Sequence, residues 1–214
     1  MPRMRAKQRP ARQARPKADS KLGYQFLVTL SESERLVWRR IQVPAAYSFW
    51  DLHVAIQGAM GWQDRHLHEF RVMHPERQGL DRIGIVLDDI SVDEELLASW
   101  ETMIAEYFDD AMLPAEYRYD FGDGWSHTVT FEQMVRAGRG QAYPRCVAGA
   151  RACPPEDCGG MRGYAEFLEA LSNARHPRHK ELLRWHGGPF DPEAFDPSAI
   201  VFDDPKKRLA QAFG

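Results

Sequence analysis

The stretch 117–131, YRYDFGDGWSHTVTF, narrows the folds open to this chain more than any other. It reads as a strand, a glycine break and a second strand. Alternation puts Tyr117, Tyr119 and Phe121 on one face, with Arg118 and Asp120 on the other. Beyond the break, Trp125, His127, Val129 and Phe131 share a face opposite Ser126, Thr128 and Thr130. Gly122 and Gly124 permit the positive φ that a tight loop needs, and Asp123 can bond local amides as turn chemistry. The result is an aromatic-faced hairpin, and only one face of its sheet can border the main core. Turn geometry requires neither Asp120 nor His127, so the same stretch marks a candidate site.

The flanking pattern supplies partners for the hairpin. YQFLVTL and LVWRRIQVP alternate on either side of the polar link SESER, which predicts a second hairpin closed by Pro44. Ser48 and Asp51 form a capping box ahead of a helix whose stripe is Phe49, Leu52, Ile56, Ala59 and Met60, with Gly61 as its stop. HLHEFRV predicts a third strand with His66, His68, Phe70 and Val72 on one face. SVDEELLASWETMIAEYF predicts a helix capped by Ser91 and Glu94, burying Leu96, Leu97, Trp100, Met103, Ile104 and Tyr107. A Gly/Pro/Cys-rich loop over 138–163 leads to two short helices in YAEFLEALSN and HKELLRWHGG. Asp191-Pro192, Asp196-Pro197 and Asp204-Pro205 each predict a helix start, because aspartate caps and proline suits the first position. Strands early and centrally with helices late predict an α+β fold: a mostly antiparallel sheet packed with several helices, and a helical C-terminal part.

Composition bounds the setting. The chain has 214 residues, 43% hydrophobic and 28% charged, which fits one globular domain with a sizeable core. No apolar run approaches the roughly eighteen residues of a membrane span. The charged start has no apolar segment after it, so no secretory signal is expected there, and the reducing cytosol is the expected compartment. Cysteines there are thiols or metal ligands rather than disulfides. Residues 1–21 carry eight basic side chains against Asp19. The whole chain carries −3, so with the arm's +7 set aside the rest carries −10. The arm is expected to be disordered, and 22–214 to form the domain. A basic arm can hold nucleic acid through phosphates or act as a solubilising tail, whereas the acidic body argues against binding DNA across its general surface.

Three groups of residues carry possible chemistry. His66 and His68, two apart on a strand, either chelate one metal or sit as satisfied core residues. Cys146, Cys153 and Cys158 lie in one loop at C-x6-C-x4-C. With one histidine such as His127 they suit zinc; otherwise they are free thiols. Glu156 and Asp157 are exposed acids by default. No G-x-S-x-G, H-E-x-x-H or Walker motif occurs, so no catalytic residue is assigned.

VWRRIQVP, AIQGAMGWQDRHLHEF, YDFGDGWSH, YPRCVAGARACPPEDCGG and WHGGPFDPEAFDP, in that order, together resemble the plasmid pRiA4b ORF-three-like family, some of whose members are labelled TnpR-type transposon passenger proteins. The resemblance runs from about Tyr24 to Pro197. It implies a compact α+β domain found near mobile elements. Its recurring positions correspond here to Trp62, His66, Asp120, Gly122, Asp123, Trp125, His127, Pro155, Glu156, Asp157, Gly159 and Gly160. The combined expectation is a site where His66, Asp120, Asp123, Trp125, His127, Glu156 and Asp157 converge. The function expected is a non-catalytic binding module for nucleic acid or a protein partner. The alternative is a hydrolase whose histidines and carboxylates hold a metal that activates water.

Overall fold

The computed structural model describes residues 21–76, 78–85, 96–108 and 113–213. The basic arm lies outside them except for Lys21. Eight strands form one sheet: β1 (Leu22–Leu30), β2 (Trp38–Pro44), β3 (His68–Met73), β4 (Leu80–Gly84), β5 (Leu96–Ala98), β6 (Ala115–Tyr119), β7 (Trp125–Arg136) and β8 (Arg145–Ala150). Their order is β5-β4-β3-β6-β7-β1-β2-β8. Every pairing is antiparallel except β4 with β5. Among the described residues four α-helices join it: α1 (Phe49–Met60), α2 (Gly160–Ser172), α3 (His179–His186) and α4 (Pro205–Phe213). The class is α+β, with helices at the C-terminal end.

Helix α1 organises the core. Ser48 and Asp51 make the reciprocal capping box, and Gly61 closes the helix at φ 82°. Phe49, Leu52, Ile56 and Ala59 are fully buried against the sheet. Phe49 meets Phe70 and Tyr107 edge-on at 5.1 and 5.4 Å. Such edge-to-face pairs add about 0.5–1.5 kcal/mol each beyond the area they bury. The helix also buries two polar side chains, His53 and Gln57, and both reach the hydroxyl of Tyr117 on the sheet, at 2.7 and 2.9 Å.

The structure corrects five local expectations. The segment expected as a helix over 91–108 is not one where it is described: Leu96–Ala98 is β5, and only a 3-10 turn follows at Ile104–Glu106. Tertiary hydrogen bonds overrode the helical spacing. Ser99 N–H donates to Gly84, and the N–H groups of Trp50 and Phe49 donate to Ser99 and Thr102. The apolar stripe still buries Ile104 and Tyr107. Its expected caps, Ser91 and Glu94, lie outside the described residues.

The third strand begins at His68, not His66, so the two histidines do not share a strand face. The loop expected over 138–163 contains β8, whose sequence RCVAGA lacks alternation and pairs with β2 across a bulge. Asp191-Pro192 starts a turn rather than a helix, although Asp196 and Asp204 do cap, accepting from Ser198 and Lys206 N–H. Phe121 leaves the aromatic face: β6 ends at Tyr119, and Phe121 is 51% exposed at the loop tip.

Candidate functional site

The site forms where two glycine-rich loops meet. The first is the β6–β7 loop. Asp120 occupies a left-handed conformation, φ 52°, which aspartate tolerates better than most residues because its short side chain bonds locally. Its Oδ1 accepts from the N–H of Gly122 and Asp123 at 3.0 and 3.3 Å. Those bonds aim Oδ2 outward, 3.5 Å from His66 Nε2. The second loop, 153–160, carries Asp157, also left-handed at φ 62°, and its Oδ1 lies 2.7 Å from the same His66 nitrogen.

The two loops lock directly. Asp123 Oδ2 accepts from Gly159 N–H at 3.0 Å. Gly160 packs so tightly on the Asp123 carbonyl that a Cβ there would collide with it, and its φ is 66°. Glycine at 160 is therefore a requirement of close approach. The ligand atoms of His66, Asp120 and Asp157 lie within 4.8 Å of one another. Among the described residues no other trio of histidine, cysteine or acid side chains does so. The His66 side chain is 33% exposed, Asp120 10% and Asp157 47%, so the cluster opens to solvent on one side.

A buried scaffold stands behind this rim. Glu156 accepts from the Tyr119 hydroxyl through Oε1 and from Gln63 N–H at 3.0 Å through Oε2. The Tyr119 hydroxyl in turn accepts from Arg65 N–H at 2.9 Å. Trp62 stacks on Tyr119 with ring centres 5.2 Å apart, and its indole N–H donates to the Pro154 carbonyl at 2.9 Å. Segment 62–66 is thereby tied to the 153–160 loop, and the tie delivers His66 to Asp157. Burial, reinforced by the neighbouring Glu156 carboxylate, raises the Tyr119 phenol well above its ordinary range, so it acts as a fixed donor.

Residues 23–199 match the family of plasmid pRiA4b ORF-3-like proteins. The chain belongs to that family. It is 38% identical over 183 residues to the uncharacterized protein y4hQ of Sinorhizobium fredii (strain NBRC 101917 / NGR234), covering 85% of this chain and 88% of that relative. It also superimposes on a protein of unknown function from Methanosarcina mazei Go1, MM3350, with a TM-score of 0.78 and 40% identity over 85% of this chain and 99% of that one. The plasmid pRiA4b ORF-3-like domain thus spans nearly the whole described body, including both loops of the site.

Within this domain the expected residues separate into two sets. His66, Asp120, Asp123, Glu156 and Asp157 meet at the loop junction. Trp125 and His127 lie on the core face behind it, 1% and 0% exposed. His127 stands edge-on to Trp62 at 5.3 Å, and neither ring nitrogen makes a well-formed hydrogen bond, the Tyr117 backbone offering only a weak contact. The loop acids expected to serve it are engaged by Tyr119, His66 and backbone amides instead. Burial pushes the His127 pKa down to about 3, so the ring is neutral.

Cys146, Cys153 and Cys158 with His127 do not form such a cluster. Burial pushes the Cys153 and Cys158 thiols up to about 12, and the buried guanidinium of Arg39 lies beside Cys153 and Cys146.

Sequence reasoning passed over His53, which stacks on His68 at 3.6 Å and bonds Asp64 and Tyr117, each at 2.7 Å. It also passed over Tyr119 as the partner of Glu156. Helical spacing could have flagged His53, since it falls four residues after Phe49 and three before Ile56 on the buried side of α1. Nothing local flags the pairing of Tyr119 with Glu156. Among the described residues no helix is long and apolar enough to cross a membrane.

Proposed function

We propose that this domain is a non-catalytic binding module that holds one divalent cation through His66, Asp120 and Asp157 and presents it to an acidic partner. The convergence of those three ligand atoms within 4.8 Å carries the reading. One imidazole and two carboxylates suit a borderline or hard ion such as Zn²⁺ or Mn²⁺. Asp120 is preorganised by its two amide bonds, and Asp157 by its left-handed backbone. Three protein ligands leave coordination positions for an oxygen from outside. Phosphate of nucleic acid is the favoured partner group, because the N-terminal arm adds eight basic side chains to an otherwise acidic protein. The mobile-element setting implied by the family resemblance agrees with such a partner, and a protein surface rich in carboxylates offers the same oxygen chemistry.

The test is calorimetric titration of metal-stripped protein with Mn²⁺ and Zn²⁺. About one ion per chain is expected, with loss of binding in His66→Ala and in Asp120→Asn. Retention of full affinity in both variants would overturn the reading. The open positions also favour a second reading, a metal-dependent hydrolase in which a bound water is the nucleophile. Metal-dependent turnover of phosphodiester or ester substrates, abolished by Asp120→Asn with the fold intact, would establish it over the first.

A further inference from the structure

A pocket of about 260 Å³ opens between α2 and α3, and Asp157 forms part of its wall. Its other walls include Cys158, Phe167, Arg178 and Trp185. Trp185 is 47% exposed and rests against Phe167 in an edge-to-face contact at 5.9 Å, so its outer surface is rigid and open. Arg178 is fully engaged: Glu166 takes one arm at 2.8 Å and Glu181 the other at 2.9 Å. Its charge therefore stiffens the wall and leaves no free guanidinium for an incoming anion.

The pocket and the His66–Asp120–Asp157 group share one residue and lie side by side. Resting on the metal reading above, we propose that the site binds a nucleoside monophosphate unit, with the phosphate on the open side of the ion and the base in the α2–α3 pocket against Trp185. Three observations select this class. The volume falls slightly below the usual span of small-molecule sites and admits one planar ring system rather than an extended ligand. An exposed indole backed by a second ring is a stacking platform that accepts any base. The local charge opposes an anion until a divalent ion is present, because Glu166, Glu181, Asp120, Asp123 and Asp157 outnumber Arg65, Arg178 and Arg184. Metal and phosphate must therefore bind together. A free nucleotide and a nucleotide within a single strand present the same chemistry.

The experiment titrates full-length protein first with Mn²⁺ alone, then, at saturating Mn²⁺, with adenosine monophosphate, ribose 5-phosphate and a short 5′-phosphorylated single strand. Adenosine monophosphate is expected to bind more tightly than ribose 5-phosphate by on the order of tenfold, the share of one stacked base. It is expected not to bind without Mn²⁺. Trp185→Leu should erase the preference for the base-bearing ligand while Mn²⁺ affinity stays as in the parent and the protein still unfolds cooperatively, with no more lost than one edge-to-face ring pair supplies, which separates stacking from folding. Tighter binding of the strand than of the mononucleotide identifies a polymer as the source; equal binding identifies the free nucleotide. Normal Mn²⁺ binding with no base preference, or with a preference that survives Trp185→Leu, overturns this proposal and leaves the metal site standing. Failure to bind Mn²⁺ overturns both. Binding of the nucleotide equally well without Mn²⁺ overturns the bridged arrangement.

Discussion

The same residue type plays opposite parts in two neighbouring regions. Beneath α1, His68 and His127 are buried on one face of the sheet with no well-formed hydrogen bonds to their side chains. At the loop junction, His66 is one-third exposed and meets two carboxylates. His66 and His68 are two residues apart, yet one belongs to a dry core and the other to a wet rim. A histidine's role here is set by the first strand residue: inside β3 the ring points under α1, and outside it the ring swings to the acids. Burial makes the inner rings neutral packing units; exposure leaves the outer one free to ligate.

Acid should break the inner region first. Burial lowers the pKa of His68 and His127 in the folded protein, His127 to about 3. Unfolded histidine titrates near 6.5, so below that pH the unfolded chain binds protons that the folded one refuses. Stability is therefore complete above about pH 6.5 and falls as the solution is acidified, by about 1.4 kcal/mol per pH unit for each such ring. For His127 the loss continues to about pH 3 and sums to something on the order of 5 kcal/mol. Urea denaturation across that range checks the slope, and His127→Phe should reduce it.

The next effect comes from placing a carboxylate where His127 lies. His127→Asp puts a charge among Trp62, Tyr117 and Trp125 with no partner, at a cost of about 3–5 kcal/mol. His127→Phe retains the fold, since the imidazole has no well-formed hydrogen bond to lose, only a weak contact with the Tyr117 backbone. Equal stability of the two variants at neutral pH would mean that the interior is not dry.

The rim responds to metal instead. A divalent ion at a hundredfold its dissociation constant should stabilise the parent by about 2.7 kcal/mol. His66→Ala and Asp120→Asn should lose that gain and change metal-free stability little, because asparagine tolerates the left-handed backbone and keeps the amide bonds of Oδ1. Thermal melts with and without Mn²⁺ read both quantities. A loss of stability without metal in Asp120→Asn would assign the cluster to the fold rather than to a ligand.

The smallest expected effect lies at the joint between the regions. Glu156→Gln weakens the bonds to Tyr119 and Gln63 at a cost of about 1–2 kcal/mol. It should also lower metal affinity by about tenfold, as loss of a residue that orients ligands does. An unchanged affinity would show that His66 reaches the acids without this tie.

Much of the framework was legible before any coordinates. Period-two alternation marked β1, β2 and the β6–β7 hairpin, because side chains on a strand alternate faces wherever one face is buried. The capping box at Ser48 and the stop at Gly61 are local bonds between near neighbours. The site was legible as a set of residues, but not as an arrangement. Glu156 meets Tyr119 across 37 positions, and His66 meets Asp157 across 91. No local propensity encodes such meetings.

Where local and distant forces disagreed, the distant ones prevailed. Segment 96–108 carries an apolar stripe spaced for a helix, yet its first three residues extend the sheet beside β4, because that edge offered backbone partners and the helix would have left them unpaired. Patterning by itself determined which residues belong inside and which segments are extended. Only the tertiary structure decided where the strand begins relative to His66, that Asp120 and Asp157 take left-handed backbones, and that Gly160 fits against Asp123. Those choices depend on two loops pressing together, and contact between distant segments is set by the packing of the whole chain.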